Sequence, residues 1–162
     1  ARETAARFDQ TSFAKFILKG PDAETALQWI AANRMDRPVG SVIYTQMLND
    51  RAGIECDVTI TRLAEDEFYI VTGTGFATRD FHWIKSNVPA GLNAQLVDVT
   101  SSNAVLSLFG PKARDILAAC TRADVSHAAH PFATARRVRR RKYEVMPTQI
   151  TASENQVMAY CR

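Results

Sequence analysis

Asp57 and Thr59 stand two residues apart in the run 54–62, IECDVTITR, where Ile54, Cys56, Val58 and Ile60 alternate with Glu55, Asp57, Thr59 and Thr61. That period of two is the pattern of an extended strand, whose successive side chains point to opposite faces. A carboxylate and a hydroxyl therefore share one face. Two uses of that face are open. It is either the wet outer surface of a half-exposed strand, or the wall of a pocket where the carboxylate accepts hydrogen bonds from an N–H-rich heterocycle and the hydroxyl supports it. Spacing alone leaves both standing.

Other residues with chemistry in them form weaker patterns. His127 and His130 are three apart and could meet on one helical turn, but two imidazoles do not complete a ligand set, and no metal is expected. His82, beside Trp83 in an amphipathic stretch, reads as a surface or packing residue. Tyr44, Tyr69, Trp29 and Trp83 read as core, not as a stacking platform. No Ser, Cys or His constellation assembles into a nucleophilic triad. Cys56, Cys120 and Cys161 are odd in number, far apart and without a C-x-x-C, which points to a reducing compartment, not a disulfide framework or zinc knuckle. Gly73-Thr74-Gly75 lacks the third glycine of a dinucleotide-binding turn, so a Rossmann-type flavin or nicotinamide site has no support.

The elements that must position Asp57 and Thr59 can be read around them. The stretches 40–48 (GSVIYTQML), 54–62 and 67–73 (EFYIVTG) are rich in β-branched and aromatic residues, and the turn sequences NDRAG and LAEDE separate them. They predict an antiparallel meander. Its apolar residues Ile54, Val58 and Ile60 are expected against a helix that Gly20-Pro21 opens after a strand at 13–19 (FAKFILK). In that helix Ala23, Ala26, Leu27, Ile30 and Ala31 recur at helical spacing, and proline suits a first helical turn. The same unit returns about ninety residues later: LSLF, Gly110-Pro111, then KARDILAAC with Ala113, Ile116 and Leu117 in matching places. A helix is expected over 76–87 with Phe76, Phe81 and Ile84 on its apolar side, and 92–100 reads as extended. Strands and helices alternating around a hairpin meander make an α+β fold, not a doubly wound parallel sheet.

A chain of 162 residues, 46% hydrophobic and 23% charged, can bury a core and needs no disordered tract. Six of the seven residues in 136–142 are basic, so the net charge of +3 leaves 3 − 6 = −3 on the rest of the chain. The basicity is one segment, read as a solvated strand or loop, with a phosphate or polyglutamate contact as the lesser alternative. No aromatic residue interleaves it before Tyr143, and no nucleic-acid partner is expected. No apolar run approaches the ~20 residues of a membrane span, and the first ten residues, ARETAARFDQ, have no apolar signal core. No membrane partner is expected.

The run from Phe8 through FDQTSFAKFILKGPDAETALQWIAANRMDRPVGSVIYTQMLNDRAGIECDVTITRLAEDEFYIVTGTG, continued by DVTSSNAVLSLFGPKARDIL and ADVSHAAHPFATAR, resembles the opening of the tetrahydrofolate-binding, aminomethyltransferase-like domain of dimethylglycine and sarcosine dehydrogenases. These are relatives of the glycine-cleavage T-protein. The resemblance implies the first lobes of that folate-binding fold over 1–136, with 137–162 as a divergent segment of the same domain. It implies tetrahydrofolate as cofactor, with the FAD that oxidises a methylated amine held in a separate amino-terminal flavin domain, in cis in a longer protein and absent here. It implies a cytoplasmic location in a bacterium or the mitochondrial matrix.

Carried over residue by residue, the family's pterin-side carboxylate falls on Asp57, as the catalytic and cofactor-binding residue, and its neighbouring hydroxyl on Thr59; FYIVTGTG resembles the next stretch of the folate channel, which adds Tyr69, Val71 and Gly73. The implied chemistry is transfer of a one-carbon unit to tetrahydrofolate. Past Arg136 the pattern departs. Aligning SENQVMAY with the family's G-E-x-G-W-E-like motif puts Glu154 at the first acid, Ser153 and Gln156 at its glycines, and Met158 where a glutamate holds the pterin. A thioether cannot take that glutamate's hydrogen bonds, which favours the alternative of a regulatory or interaction module that keeps the fold without folate; a stand-alone aminomethyltransferase is a further alternative, against which TQMLNDRAGIECDVTITR reads closer to the dehydrogenase branch.

Overall fold

The computed structural model describes residues 1–140, 143–148 and 156–161, with side chains as far as residue 138. In chain order the elements are β1 (Ala6–Asp9), β2 (Ala14–Lys19), α1 (Ala23–Ile30), β3 (Val42–Leu48), β4 (Ile54–Ala64), β5 (Glu67–Thr72), a 3-10 turn (Thr74–Phe76), α2 (Ala77–Asn87), β6 (Gln95–Asp98), a second 3-10 turn (Thr100–Ser102), β7 (Ala104–Phe109), α3 (Ala113–Cys120), β8 (Val138–Arg140), β9 (Tyr143–Thr148) and β10 (Gln156–Cys161). They form two antiparallel five-stranded sheets, β3-β4-β5-β2-β6 and β1-β7-β10-β9-β8. The chain divides into two compact units, 13–100 and 1–12 with 101–162. The expected α+β fold is present, and no helix among the described residues is long and apolar enough to cross a membrane.

In the unit 13–100 the meander β3-β4-β5 forms as expected. Asn49 builds its first turn: the side-chain carbonyl accepts the N–H groups of Arg51 at 3.0 Å and Gly53 at 2.9 Å, while the backbone N–H bonds Gly53 O at 2.9 Å. This is the local pairing for which asparagine suits turns. The second turn is held by Arg62, which donates to Ala64 O and Glu65 O, reaches Arg37 O at 2.9 Å, ion-pairs with Glu24 on α1 at 2.6 Å, and lies over the Phe68 ring. One planar guanidinium with several donors thus ties a hairpin, a loop and a helix together. The core lies between the inner sheet face and the helices: Phe16, Leu18, Met47, Cys56, Val58, Ile60, Phe68 and Ile70 meet Ala23, Ala26, Leu27 and Ile30 of α1 and Ile84 of α2.

Three expectations are corrected here. Ile54 is 65% exposed, because the register shifts between Met47 and Leu48 and the Leu48–Ile54 pair closes the hairpin beyond the helices. Phe76 is also exposed, since the helix proper starts one residue later; the buried residue of the first turn of α2 is Asp80. Ala31 lies past the end of α1, in extended backbone that bridges Met47.

The duplicated unit extends further than the strand-Gly-Pro-helix pattern. In each copy the N–H of Ala23 or Ala113 bonds the carbonyl of Gly20 or Gly110 at 2.9 Å. Each proline is thus the second residue of a turn that leads into the helix, and the residue after it (Asp22, φ −102°, ψ 12°; Lys112, φ −95°, ψ 7°) has the conformation of the third turn position. This places the prolines just ahead of the first helical turn rather than in it. Each glycine has positive φ and faces a loop backbone: Gly20 faces Asn93 O and Gly110 faces Thr4 O. Both loops run into the edge strand that pairs with the preceding strand, β6 with β2 and β1 with β7.

The registers also match, Asp98 opposite Phe16 and Asp9 opposite Leu106. Beyond each aspartate a threonine hydroxyl accepts the N–H of the neighbouring strand, Thr100 from Lys15 at 3.0 Å and Thr11 from Val105 at 3.2 Å. The strand orders are equivalent throughout, with β8-β9-β10-β7-β1 repeating β3-β4-β5-β2-β6. Each copy takes its edge strand from the chain segment leading into the other copy. The helices differ: Ala26 of α1 is buried, whereas Ile116, its counterpart on α3, is exposed.

Candidate functional site

The face of the first sheet opposite the helices carries the polar residues. Cross-strand pairing aligns Tyr44 on β3, Thr59 on β4, Val71 on β5 and Lys15 on β2 in one row, with Gln46 opposite Asp57 in the next. The alternation in β4 holds from Glu55 to Ile60, with Cys56, Val58 and Ile60 buried, Asp57 exposed and Glu55 and Thr59 half-buried between them, and fails at its ends, where Ile54 is exposed and Thr61 is buried. Asp57 accepts a hydrogen bond from Gln46 Nε2 on Oδ1 at 3.3 Å. Hydrogen bonding to Asp57, reinforced by burial and by the carboxylate's charge, holds the Tyr44 phenol above its ordinary pKa. Among the described residues no Lys, Arg or His forms an ion pair with Asp57. The carboxylate therefore keeps acceptor capacity toward solvent.

Farther along the row Val71 and Tyr69 are buried, Gly73 is half-buried just past β5, and Lys15 is fully buried. The strand register thus brings Asp57, Thr59, Tyr69 and Val71 to one face, with Gly73 at its end. Tyr44 is exposed and belongs to the polar face, and Trp29 is 76% exposed on α1, so neither is the core residue expected. Trp29 lines an open groove of about 500 Å³ with Glu24, Thr25, Gln28, Pro89 and Leu92, on the helical side of the sheet and so away from Asp57.

A second polar cluster stands at the start of β4, two residues before Asp57. Glu55 accepts hydrogen bonds from Asn49 Nδ2 at 2.7 Å and Arg79 Nη2 at 2.6 Å, and the two together hold its carboxyl below the usual range. Arg79 Nη1 lies 3.6 Å from the buried Asp80 carboxylate, which accepts the Thr72 hydroxyl at 2.6 Å. Burial, with Asp80 alongside, pushes the Cys56 thiol up to about 12, so this cysteine is a packed thiol, not a nucleophile.

His127 and His130 do not come together as a pair: His127 is exposed and His130 buried, in a segment 121–134 without helix. Among the described residues no three His, Cys, Asp or Glu side chains group as a metal set. Burial, with Arg114 and Arg136 adding positive charge, lowers His130 to about 4. His82 is exposed and Trp83 packs against the core. Of the basic run, Arg136 and Arg137 are exposed and 138–140 forms the edge strand β8; 141 and 142 lie outside the described residues. So do Ser153 and Glu154, and the side chains of Gln156 and Met158; the backbone of Met158 pairs with Ser107 and Thr148.

An α+β domain of two topologically equivalent sheets, one bearing a carboxylate-hydroxyl pair on the face opposite its helices, defines the class. The family model described as the GCVT N-terminal domain matches residues 1–152, and the chain belongs to that family. It is 36% identical over 152 residues to mitochondrial sarcosine dehydrogenase of Mus musculus, covering 85% of this chain and 16% of that protein. It is 35% identical over 118 residues to the mitochondrial pyruvate dehydrogenase phosphatase regulatory subunit of the same organism, covering 72% of this chain and 13% of that one. Among solved structures, glycine cleavage system aminomethyltransferase T from Bartonella henselae superposes with a TM-score of 0.82 at 24% identity, over 99% of this chain and 42% of that one. The chain thus spans about a sixth or less of the two curated mouse proteins.

Proposed function

We propose that this chain is the folate-binding part of a flavin-dependent dehydrogenase of the dimethylglycine and sarcosine type, and that Asp57 is the residue that holds the pterin. The observation that carries the reading is the Asp57–Thr59 pair at the exposed β3 side of the sheet face, with the carboxylate unpaired by any described cation. A pterin edge is rich in N–H donors, and an ionised carboxylate accepts two of them with charge assistance; the donor set present fits such a group. Tetrahydrofolate supplies the nucleophilic nitrogen to which a one-carbon unit is transferred. Asp57 would orient it and take up the proton that this nitrogen loses as the new N–C bond forms, Thr59 would add a hydrogen bond, and Val71 with Gly73 would form the apolar floor beside them, Tyr69 lying buried at the next row. The methylated amine and FAD belong to a separate domain of the longer protein, and its compartment is the bacterial cytoplasm or the mitochondrial matrix. The segment 1–136 carries the site, with 137–162 as its divergent continuation.

In that longer protein Asp57→Ala is expected to depress formation of methylenetetrahydrofolate while leaving flavin reduction by the amine near its original rate. Product formation and flavin reduction are measured separately, and equal loss of both, or of neither, would overturn the assignment.

A second reading rests on the 35% identity with a regulatory subunit: a module that keeps the fold and binds no folate. It fits the Met158 position and predicts no response of the chain to tetrahydrofolate.

A further inference from the structure

The β3 strand contributes two polar side chains to the Asp57 face that no sequence motif marked. Gln46 stands directly opposite Asp57 in the register and donates from Nε2 to its Oδ1 at 3.3 Å. Tyr44 stands opposite Thr59, one row along and so on the diagonal from Asp57, and Asp57 is the main cause that holds its phenol above the ordinary pKa. Directly opposed and diagonal neighbours are the pairs within reach across an antiparallel ladder. Both residues belong to β3, an edge strand of the sheet. A carboxylate on an exposed strand otherwise rotates freely, and a freely rotating acceptor loses conformational entropy when a ligand fixes it.

We propose that Tyr44 and Gln46 are positioning residues, which hold the Asp57 carboxylate in one rotamer from the β3 side so that its other lone pairs face a bound pterin. The inference rests on the folate reading of Asp57 above. Neither residue need touch the reacting atoms. Their effect on the ligand passes through Asp57, which makes it separable from a direct contact.

The test is a double-mutant cycle on tetrahydrofolate affinity in this chain, with Tyr44→Phe and Asp57→Asn alone and together. Tyr44→Phe keeps the ring, so any stacking survives and only the hydroxyl is lost. Positioning predicts that Tyr44→Phe weakens binding about three- to tenfold while Asp57 is intact, and by less than about twofold in the Asp57→Asn background. Gln46→Leu should behave alike. A structural role for Tyr44 would instead lower the thermal midpoint and leave affinity alone.

Residue-resolved NMR titration of the tyrosine ring carbons gives a readout free of folate: Asp57→Asn should bring Tyr44 down toward an ordinary phenol. If Asp57→Asn weakens binding but Tyr44→Phe is silent, or is equally costly in both backgrounds, the positioning inference falls and the folate reading stands. If Asp57→Asn leaves affinity unchanged, the folate reading itself falls and this inference with it. An unmoved Tyr44 titration would show that the two side chains do not interact and would remove Tyr44 from the inference.

Discussion

At the scale of single residues, the same side-chain chemistry does opposite things in different surroundings. Asp57 and Asp80 both neighbour Cys56 in space or sequence, yet Asp57 is exposed on the open face while Asp80 is buried, with the Thr72 hydroxyl and Arg79 as its partners. The histidines divide the same way. His130 is buried with Arg114 and Arg136 nearby, which lowers it to about 4, so the folded state disfavours its charge. Above about 6.5 the ring is neutral whether the chain is folded or not, and pH has no hold on it. As pH falls from about 6.5 to about 4 the unfolded chain takes up a proton that the folded one refuses, and stability is lost, by at most about 3 kcal/mol from this group. Urea unfolding across that window should show a shallower pH slope for His130→Gln than for the parent chain, after subtraction of the carboxylates common to both. Equal slopes would mean that His130 is not held neutral.

At the scale of elements, much was legible and the remainder has identifiable physical causes. The meander could be read because three β-branched runs are separated by good turn sequences, and the helix α1 because four of its apolar positions fall on one stripe. The Asp57–Thr59 alternation could be read for the same reason. Its partners Tyr44 and Gln46 could not, since which β3 residue lies opposite Asp57 depends on the register shift near Leu48, and a bulge leaves no fixed mark in composition. Ile54 was misplaced by the same shift. The repeat was legible through Gly-Pro, but its edge strands were not. Those strands pair across long stretches of chain, and the ties that hold them, such as the loop carbonyls packed against Gly20 and Gly110 and the Thr100 and Thr11 hydroxyls that accept N–H groups of the neighbouring strand, have no local mark in sequence.

That packing gives an element-scale prediction. A Cβ at Gly20 would stand 2.2 Å from Asn93 O, in backbone at φ +140°. Gly20→Ala should therefore cost more than about 2 kcal/mol, from strain and steric displacement of the β6 loop together. A change in unfolding free energy below about 0.5 kcal/mol, measured by denaturant titration, would show that the loop does not need the glycine.

At the scale of the whole molecule, the two sheets share one strand order and one edge-strand register, and the chain passes from one unit to the other and back. The candidate chemistry is not duplicated with the fold. In the second sheet β9 occupies the place of β4, and its sequence YEVMPT has no aspartate-x-threonine. One copy of the architecture thus carries the Asp57–Thr59 pair. The family is established by the match over residues 1–152, while folate binding rests on that one pair. The most direct measurement is calorimetric titration of this chain with tetrahydrofolate, alongside its Asp57→Ala variant. The folate reading predicts binding by the unchanged chain and a loss of about ten- to a hundredfold in the variant, the scale of one charge-assisted hydrogen bond of about 1.5–3 kcal/mol. Equal affinity in the two, or no binding by the unchanged chain, would contradict it.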